Sequence, residues 1–178
     1  YAVHGPESVD TYEVGAKGNF GGPVPGMFNV AAFYSDFEDQ QIQFGYLRTN
    51  GIGSTSILNA GQSTLSGVEV DTTLLFTDDF NVNISYAYLY SEVDHLDLPQ
   101  APPGGFPSIG IARLSGTSTA QDQPLPGTPE NKWVVTANYR LPVEASLGEV
   151  TTSMTYVYTD DTQWVSLATS PYAVLGSY

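Results

Sequence analysis

Phe80-Asn81-Val82-Asn83-Ile84-Ser85-Tyr86-Ala87-Tyr88-Leu89-Tyr90-Ser91 is the stretch that decides the fold. Its even positions are all apolar or aromatic, and its odd positions are polar or small except Leu89. A strand sends successive side chains to opposite faces, whereas a helix would scatter both sets around its axis. The stretch is therefore a β-strand with one greasy side and one side that tolerates water.

The pattern extends outward in both directions. Upstream, Val68, Val70, Thr72, Leu74 and Phe76 alternate with Gly67, Glu69, Asp71, Thr73 and Leu75, and Thr77-Asp78-Asp79 supplies a tight turn. Downstream, Trp133, Val135, Ala137, Tyr139 and Leu141 alternate with Val134, Thr136, Asn138 and Arg140. After a second short turn at 142–148, Val150, Thr152, Met154, Tyr156 and Tyr158 alternate with Thr151, Ser153, Thr155, Val157 and Thr159. A weaker pair, Val9–Asn19 and Met27–Gln43, flanks a run rich in Gly and Pro at 18–26 that no strand is expected to cross. This predicts six strands and the start of a seventh near Tyr178.

Alternation alone also suits a water-soluble antiparallel sandwich. Two further features favour a membrane barrel. Short turns alternate with stretches near 45–61 and 94–129 that read as long Gly/Pro/Ser-rich excursions, the asymmetry expected of periplasmic turns and extracellular loops. Tyr34, Tyr86, Tyr88, Tyr90, Trp133, Tyr156 and Tyr158 fall at the long-loop ends, and Phe28, Phe76, Phe80 and Tyr139 toward the short-turn ends, which draws two aromatic girdles.

Composition narrows the function classes. Across 178 residues there are 19 acidic and 5 basic side chains, a net charge of -14, so no basic patch exists to displace counterions from nucleic-acid phosphates. Cysteine is absent, which excludes disulfides, thiolate metal sites and Cys nucleophiles. No apolar run is long enough for a membrane helix, which says nothing against a barrel. Two histidines and no Gly-x-Ser-x-Gly elbow leave a hydrolytic triad unsupported, and Walker, dinucleotide and zinc spacings are missing. The expectation is a non-enzyme without a cofactor or a metal site. The chain starts at Tyr1 with no targeting stretch and reads as a fragment.

Four segments resemble one family. Pro6-Glu7, followed by Tyr12-Glu13-Val14-Gly15-Ala16-Lys17, is similar to the "PE, few residues, YE-x-G-x-K" strand of the TonB-dependent outer-membrane receptors. Val30–Gln41 resembles the next strand, with its aromatic pair and acidic, Gln-containing exit. Asn59-Ala60-Gly61 leading to Gly67-Val68-Glu69 resembles "NAG … GvE", and Pro129-Glu130-Asn131-Lys132 resembles "xPxNK". The resemblance covers nearly the whole chain. It implies part of an antiparallel transmembrane barrel of about 22 strands, from the C-terminal half, with the plug domain and the final strands outside this sequence. It further implies an outer-membrane location in a Gram-negative bacterium, and contact with outer-membrane lipid and lipopolysaccharide. The plug of the same parent chain, the TonB complex and an extracellular small-molecule ligand such as an iron–siderophore complex are the other implied partners. A passive porin-like barrel or adhesin, or a soluble carbohydrate-binding β-domain, are the alternatives.

Candidate ligand-binding residues are the lumen-side hydrogen-bonding groups Asn81, Asn83, Ser85, Thr136, Asn138 and Arg140. Glu69 and Asp71 share a face and could be a carboxylate pair or cation site; charges solvated in the lumen, or paired with Lys17 or Arg140, are the plainer reading. His95, between Asp94 and Asp97, reads as a solvated loop residue in preference to a metal ligand. Asp36, Glu38, Asp39, Glu92, Asp160 and Asp161 read as solvated loop carboxylates, with divalent-cation bridging to lipopolysaccharide as the sharper alternative.

Overall fold

The computed structural model describes residues 5–97, 105, 110–117, 119–163 and 174–178. Among these residues nine strands follow in chain order: β1 (Ser8–Phe20), β2 (Gly26–Arg48), β3 (Gly53–Leu75), β4 (Phe80–Leu96), β5 (Ile111–Thr117), β6 (Asn131–Arg140), β7 (Thr151–Thr159), β8 (Thr162–Gln163) and β9 (Val174–Leu175). The main sheet runs β1-β2-β3-β4-β6-β7, with β5 beside the outer half of β2, and every pairing is antiparallel. Six strands thus make up its width, as expected. Tyr178 exchanges two backbone hydrogen bonds with Thr159 at the free edge of β7, at 2.9 and 3.2 Å. Among the described residues the sheet does not close on itself. Ser170-Pro171-Tyr172, expected as a loop entering a strand, lie outside the described residues.

Two expected loops are corrected. Residues 45–48 and 53–61 are strand, joined by a turn at 49–52 in which Gly51 takes a φ of 82°. Inside the 94–129 stretch, β5 pairs with β2 and Leu96 closes β4. The Gly and Ser content that suggested loop belongs to an outer extension of the β2–β3 hairpin, where no lipid-facing row of apolar residues is required. The length asymmetry is real but lies in the strands. β2 and β3 hold 23 residues each, against roughly 9–11 needed to cross a bilayer.

Directly opposed residues of an antiparallel pair point to the same side, so the register tests the two-face reading. One row crosses the sheet as Ala16, Val30, Val70, Tyr86, Trp133 and Tyr158. Its neighbours on the same face are Gly18, Phe28, Thr72, Ile84, Val135 and Tyr156, then Phe20, Gly26, Leu74, Val82, Ala137 and Met154. The opposite face carries Lys17, Asn29, Asp71, Ser85, Val134 and Val157, then Asn19, Met27, Thr73, Asn83, Thr136 and Thr155. On the first face Met154 is 74% and Tyr156 57% exposed. Such exposure of large apolar groups is what a lipid-facing wall presents. Tyr12, Tyr34, Ser66 and Tyr90 form the outer row of that face, and Phe80 packs edge-on against Tyr139 at the short-turn end.

Glycines in the strands answer to aromatic rings directly across from them. Gly67 opposes Phe33, and a Cβ there would meet the Phe33 ring at 2.8 Å and the Tyr88 carbonyl. Gly26 opposes Phe20 and Gly18 opposes Phe28 in the same way. A ring laid over the missing side chain restores the packing that glycine forgoes.

Outside the membrane band, side chains take over from lipid. Beyond Phe37 the β2–β3 register shifts twice, first around Asp39, which adopts a φ of 54°, and then between Gln40 and Gln41. There Asn59 gathers the chain start: its Nδ2 donates to the carbonyls of Gly5 (3.2 Å) and Asp39 (2.6 Å), and its Oδ1 accepts from the Gly5 amide at 2.7 Å. Glu7 accepts from the Gln41 amide. The other outer lock joins β4, β6 and β7. Asn131 accepts from the Tyr86 hydroxyl (2.7 Å) and donates to Asp160 (2.7 Å), which also accepts from Tyr158 (2.7 Å). These bonds, Tyr158 first and Asn131 second, hold the Asp160 carboxyl below the usual carboxylate range. The buried apolar residues Ile42, Ala60 and Val93 also lie in this outer part.

The total accessible surface is 11682 Å², against roughly 8400 Å² for a compact soluble monomer of this mass. Val70, Val82, Ile84, Tyr86 and Met154 are not among the buried residues. The soluble-sandwich alternative, which needs them in a core, is not what this chain forms.

Two outcomes follow. Ile84→Lys, on the lipid face, should cost about 2–4 kcal/mol near the bilayer midplane, read as loss of the assembled, heat-resistant form, while Thr136→Lys on the other face should cost far less; equal effects would contradict the face assignment. Because the Asp160 pKa is lowered on folding, its contribution is present above the unfolded value of about 3.9 and is lost as pH falls through the lower folded value. Amide exchange at Asn131 and Asp160 should therefore stay slow down to about pH 4 and quicken below it, and Asp160→Asn should remove that acid-dependent step.

Candidate lumen-facing site

All six candidate residues come from two adjacent strands, β4 and β6, which the register sets side by side as Asn81 opposite Asn138 and Asn83 opposite Thr136. Alternation places them on the face opposite the lipid rows. Asn81, Asn83 and Asn138 join a hydrogen-bonded polar ladder across β3, β4, β6 and β7, and Ser85 and Thr136 each bond one neighbour on the same face. Thr73 donates to Asn83 Oδ1 (2.8 Å), Asn138 Nδ2 donates to Asn81 Oδ1 (3.0 Å), and Ser153 donates to Asn138 Oδ1 (2.7 Å). Asn83 Nδ2 reaches Asn81 Oδ1 at 3.5 Å. Thr136 shares a 3.0 Å hydrogen bond with Thr155, and Ser85 donates to Asp71 at 2.6 Å. Asn81 spends its carbonyl oxygen on two neighbours, and its amide NH₂ has no partner among the described residues.

Arg140 stands apart at the short-turn end. Its guanidinium lies 2.6 Å from Asp79 Oδ1, donates to the Asp78 carbonyl at 3.3 Å, and comes within 3.9 Å of Glu149. It braces the β3–β4 turn against the β6–β7 turn. Both carboxylate partners are half exposed or more, so solvent screens the attraction and geometry is its main yield.

Glu69 and Asp71 do share the lumen face, as their spacing requires. The register puts Glu69 in a row with Ala87 and Lys132, and Asp71 in a row with Lys17, Asn29 and Ser85. Among the described residues neither carboxylate is in an ion pair, and Arg140 engages Asp79 and Glu149 instead. No group of three or more metal-ligating side chains occurs among the described residues. His95 sits in β4 opposite Gln62, not in a loop. Asp36, Glu38, Asp39 and Glu92 are likewise strand residues; Asp10, Asp36, Thr64 and Glu92 form an outward-facing row just beyond the outer tyrosines.

Sequence reasoning missed two parts of the site. A shallow lumen-side hollow of about 180 Å³ is lined by Phe33, Glu69, Ala87, Tyr88, Leu89, Pro129 and Lys132. Leu89, the one exception to alternation in the opening stretch, belongs to it. Nearer the rim, a cleft of about 480 Å³ opens among Leu89, Tyr90, Ser91, Pro124, Thr128, Glu130, Asp161, Gln163 and Val174. Ser91 anchors its wall by bonding Thr128 (2.7 Å) and accepting from the Leu125 amide (3.2 Å). The apolar residues breaking a polar face were the available signal for the hollow; the cleft depends on pairing between distant segments and had none.

A two-faced antiparallel wall with a polar ladder inside matches known proteins. A family model described as "TonB dependent receptor-like, beta-barrel" matches residues 5–178. Among solved structures, the ferric yersiniabactin uptake receptor FyuA from Yersinia pestis superposes with a TM-score of 0.64 over 97% of this chain, at 14% identity, a likeness of fold alone. The match occupies 21% of that receptor, so this chain spans about a fifth of its length. With the family model covering all but the first four residues, the chain belongs to the TonB-dependent receptor-like β-barrel family.

Proposed function

We propose that this chain is part of the wall of an outer-membrane receptor that takes up a scarce nutrient, such as an iron–siderophore complex, in a TonB-energised step. The observation that supports it best is the division of faces: mainly apolar rows bounded by tyrosines on one side, and on the other a hydrogen-bonded polar ladder. A wall of this kind suits a wide barrel with a polar interior, set in the outer membrane of a Gram-negative bacterium and touching lipid and lipopolysaccharide outside.

In this reading a plug domain elsewhere in the same parent protein fills the lumen. Asn81, Asn83, Ser85, Thr136 and Asn138 then offer it hydrogen bonds near the short-turn end, the unspent NH₂ of Asn81 among them. Ligand would bind on the extracellular side, and the plug would shift when the TonB complex pulls on it. The wall's own residues perform no covalent chemistry. Their task is to stay rigid while the plug moves, which is the use of a ladder whose members are bonded to one another. FyuA, by its name, takes up ferric yersiniabactin, and that favours iron among the possible nutrients.

Deleting the gene that encodes this chain should abolish growth on one scarce nutrient, a ferric siderophore in the first instance, among iron, cobalt-vitamin and glycan sources supplied singly. Uptake restored by the intact gene should stop when the proton gradient is collapsed. Entry of small solutes that persists without the gradient would instead mark a passive porin, and an unchanged deletion strain would leave adhesion as the better account.

A further inference from the structure

The register change in β2 has a chemical consequence beyond the membrane. Before it, the lumen side of β2 carries odd residues, Asn29 through Phe37; after it, the even residues continue on that side. Ser63, which opposes Phe37, donates to Gln40 Oε1 at 2.6 Å, and a Cβ on Gly61 would meet the side chains of both Gln40 and Ile42. Ile42, Phe44, Tyr46 and Arg48 therefore form one column, on the side of the sheet continuous with the lumen face. Tyr34 marks the outer girdle, and Arg48 lies 14 residues further along the strand, a reach of roughly 45 Å before tilt.

Near the tip of this hairpin the column ends in two rings and a cation. The Phe44 and Tyr46 centroids are 6.1 Å apart, and the Arg48 guanidinium carbon lies 6.0 Å from the Tyr46 ring centre. Arg48 is exposed and donates through Nε to Ser54 at 3.1 Å. Among the described residues no carboxylate pairs with it, in a chain with 19 acidic side chains. The other tip cation, Arg113, opposes Leu47 and so projects from the other side. Beside the Arg48 head, a hollow of about 290 Å³ is lined by Tyr46, Arg48, Thr49, Asn50, Gly110 and Ile111.

We infer that this tip is an outer capture site for an anionic ligand bearing a planar aryl ring, such as a ferric complex of phenolate or catecholate donors. The ring stacks on Tyr46 and Phe44, and the anionic oxygens take the outward N–H groups of Arg48, with Thr49 and Asn50 adding hydrogen bonds from the turn. With no carboxylate paired to it among the described residues, the Arg48 guanidinium leaves its charge available to an anion that the acidic rest of the protein repels. The inference rests on the proposed uptake role and names the class of substrate for it.

The test uses the full-length receptor in detergent and in cells, with ferric tris-catecholate as the probe and a ferric trihydroxamate, which lacks aryl rings, as the comparison. Arg48→Ala should weaken tris-catecholate binding at least tenfold, Arg48→Lys should recover part of it, and Tyr46→Ala should weaken it independently of salt. Trihydroxamate binding should not respond to any of the three. Unchanged tris-catecholate affinity in Arg48→Ala, or failure of the unaltered receptor to bind that complex, overturns the capture site. An unchanged deletion strain, or entry that persists without the proton gradient, is a separate result and overturns the transport role alone.

Discussion

The structure depends on its uninterrupted backbone ladder. A peptide group in hydrocarbon has no water to bond, so each N–H and C=O within the bilayer must be paired inside the protein. From β1 through β7 the pairing in the spanning region runs residue against residue without a bulge. That regularity has a consequence for side chains. Once the ladder is unbroken, parity is conserved across six strands, and one strand's choice of greasy side is forced on all the others. The lipid rows and the lumen ladder are two expressions of one register.

Above the bilayer the constraint relaxes, and the chain behaves differently. Register shifts appear in the β2–β3, β3–β4 and β2–β5 pairs, all in their outer parts. Water can satisfy a peptide group left unpaired there, so a bulge is tolerated and can re-aim the strand. Order is kept by side chains instead. Asn59 fastens the chain start to the outer hairpin, and the Asn131–Asp160–Tyr158 lock ties β6 to β7. Both asparagines belong to the segments that resemble the family, which gives those motifs a physical meaning: each is a bifunctional amide that ties neighbouring segments together in the outer part of the sheet. Asparagine suits the task because one side chain both donates and accepts.

The lumen ladder uses the same property for another end. Asn81, Asn83 and Asn138 bond one another and their neighbours Thr73 and Ser153, so most of these polar groups are engaged within the wall and the Asn81 NH₂ is left to spare. Such a network stiffens a surface at little cost in charge. The ion pairs sit at the short-turn end, where Arg140 bridges two turns in contact with water. The wall therefore presents neutral donors and acceptors toward its interior in the rows of Asn81 and Asn83, with charge at the turns and, further along the lumen face, at Lys17, Asp71, Glu69 and Lys132.

Fold class, the main strands and the face of each candidate residue were legible in the sequence, because period two is a local property that needs no partner to be read. Asn81, Asn83, Ser85, Thr136 and Asn138 followed from it directly. Strand length beyond the girdle was not legible: residues 53–61 set Ile57, Leu58 and Ala60 among Gly, Ser, Thr and Asn with no period-two pattern to detect. The identity of partners was also hidden. Nothing in Gly67 alone announces Phe33, and nothing in Arg140 announces Asp79, since each contact depends on how far one strand slides against the next. Residue order by itself determined which side of each segment could bear hydrocarbon, and register, a long-range choice made by the assembled sheet, decided which side chains meet.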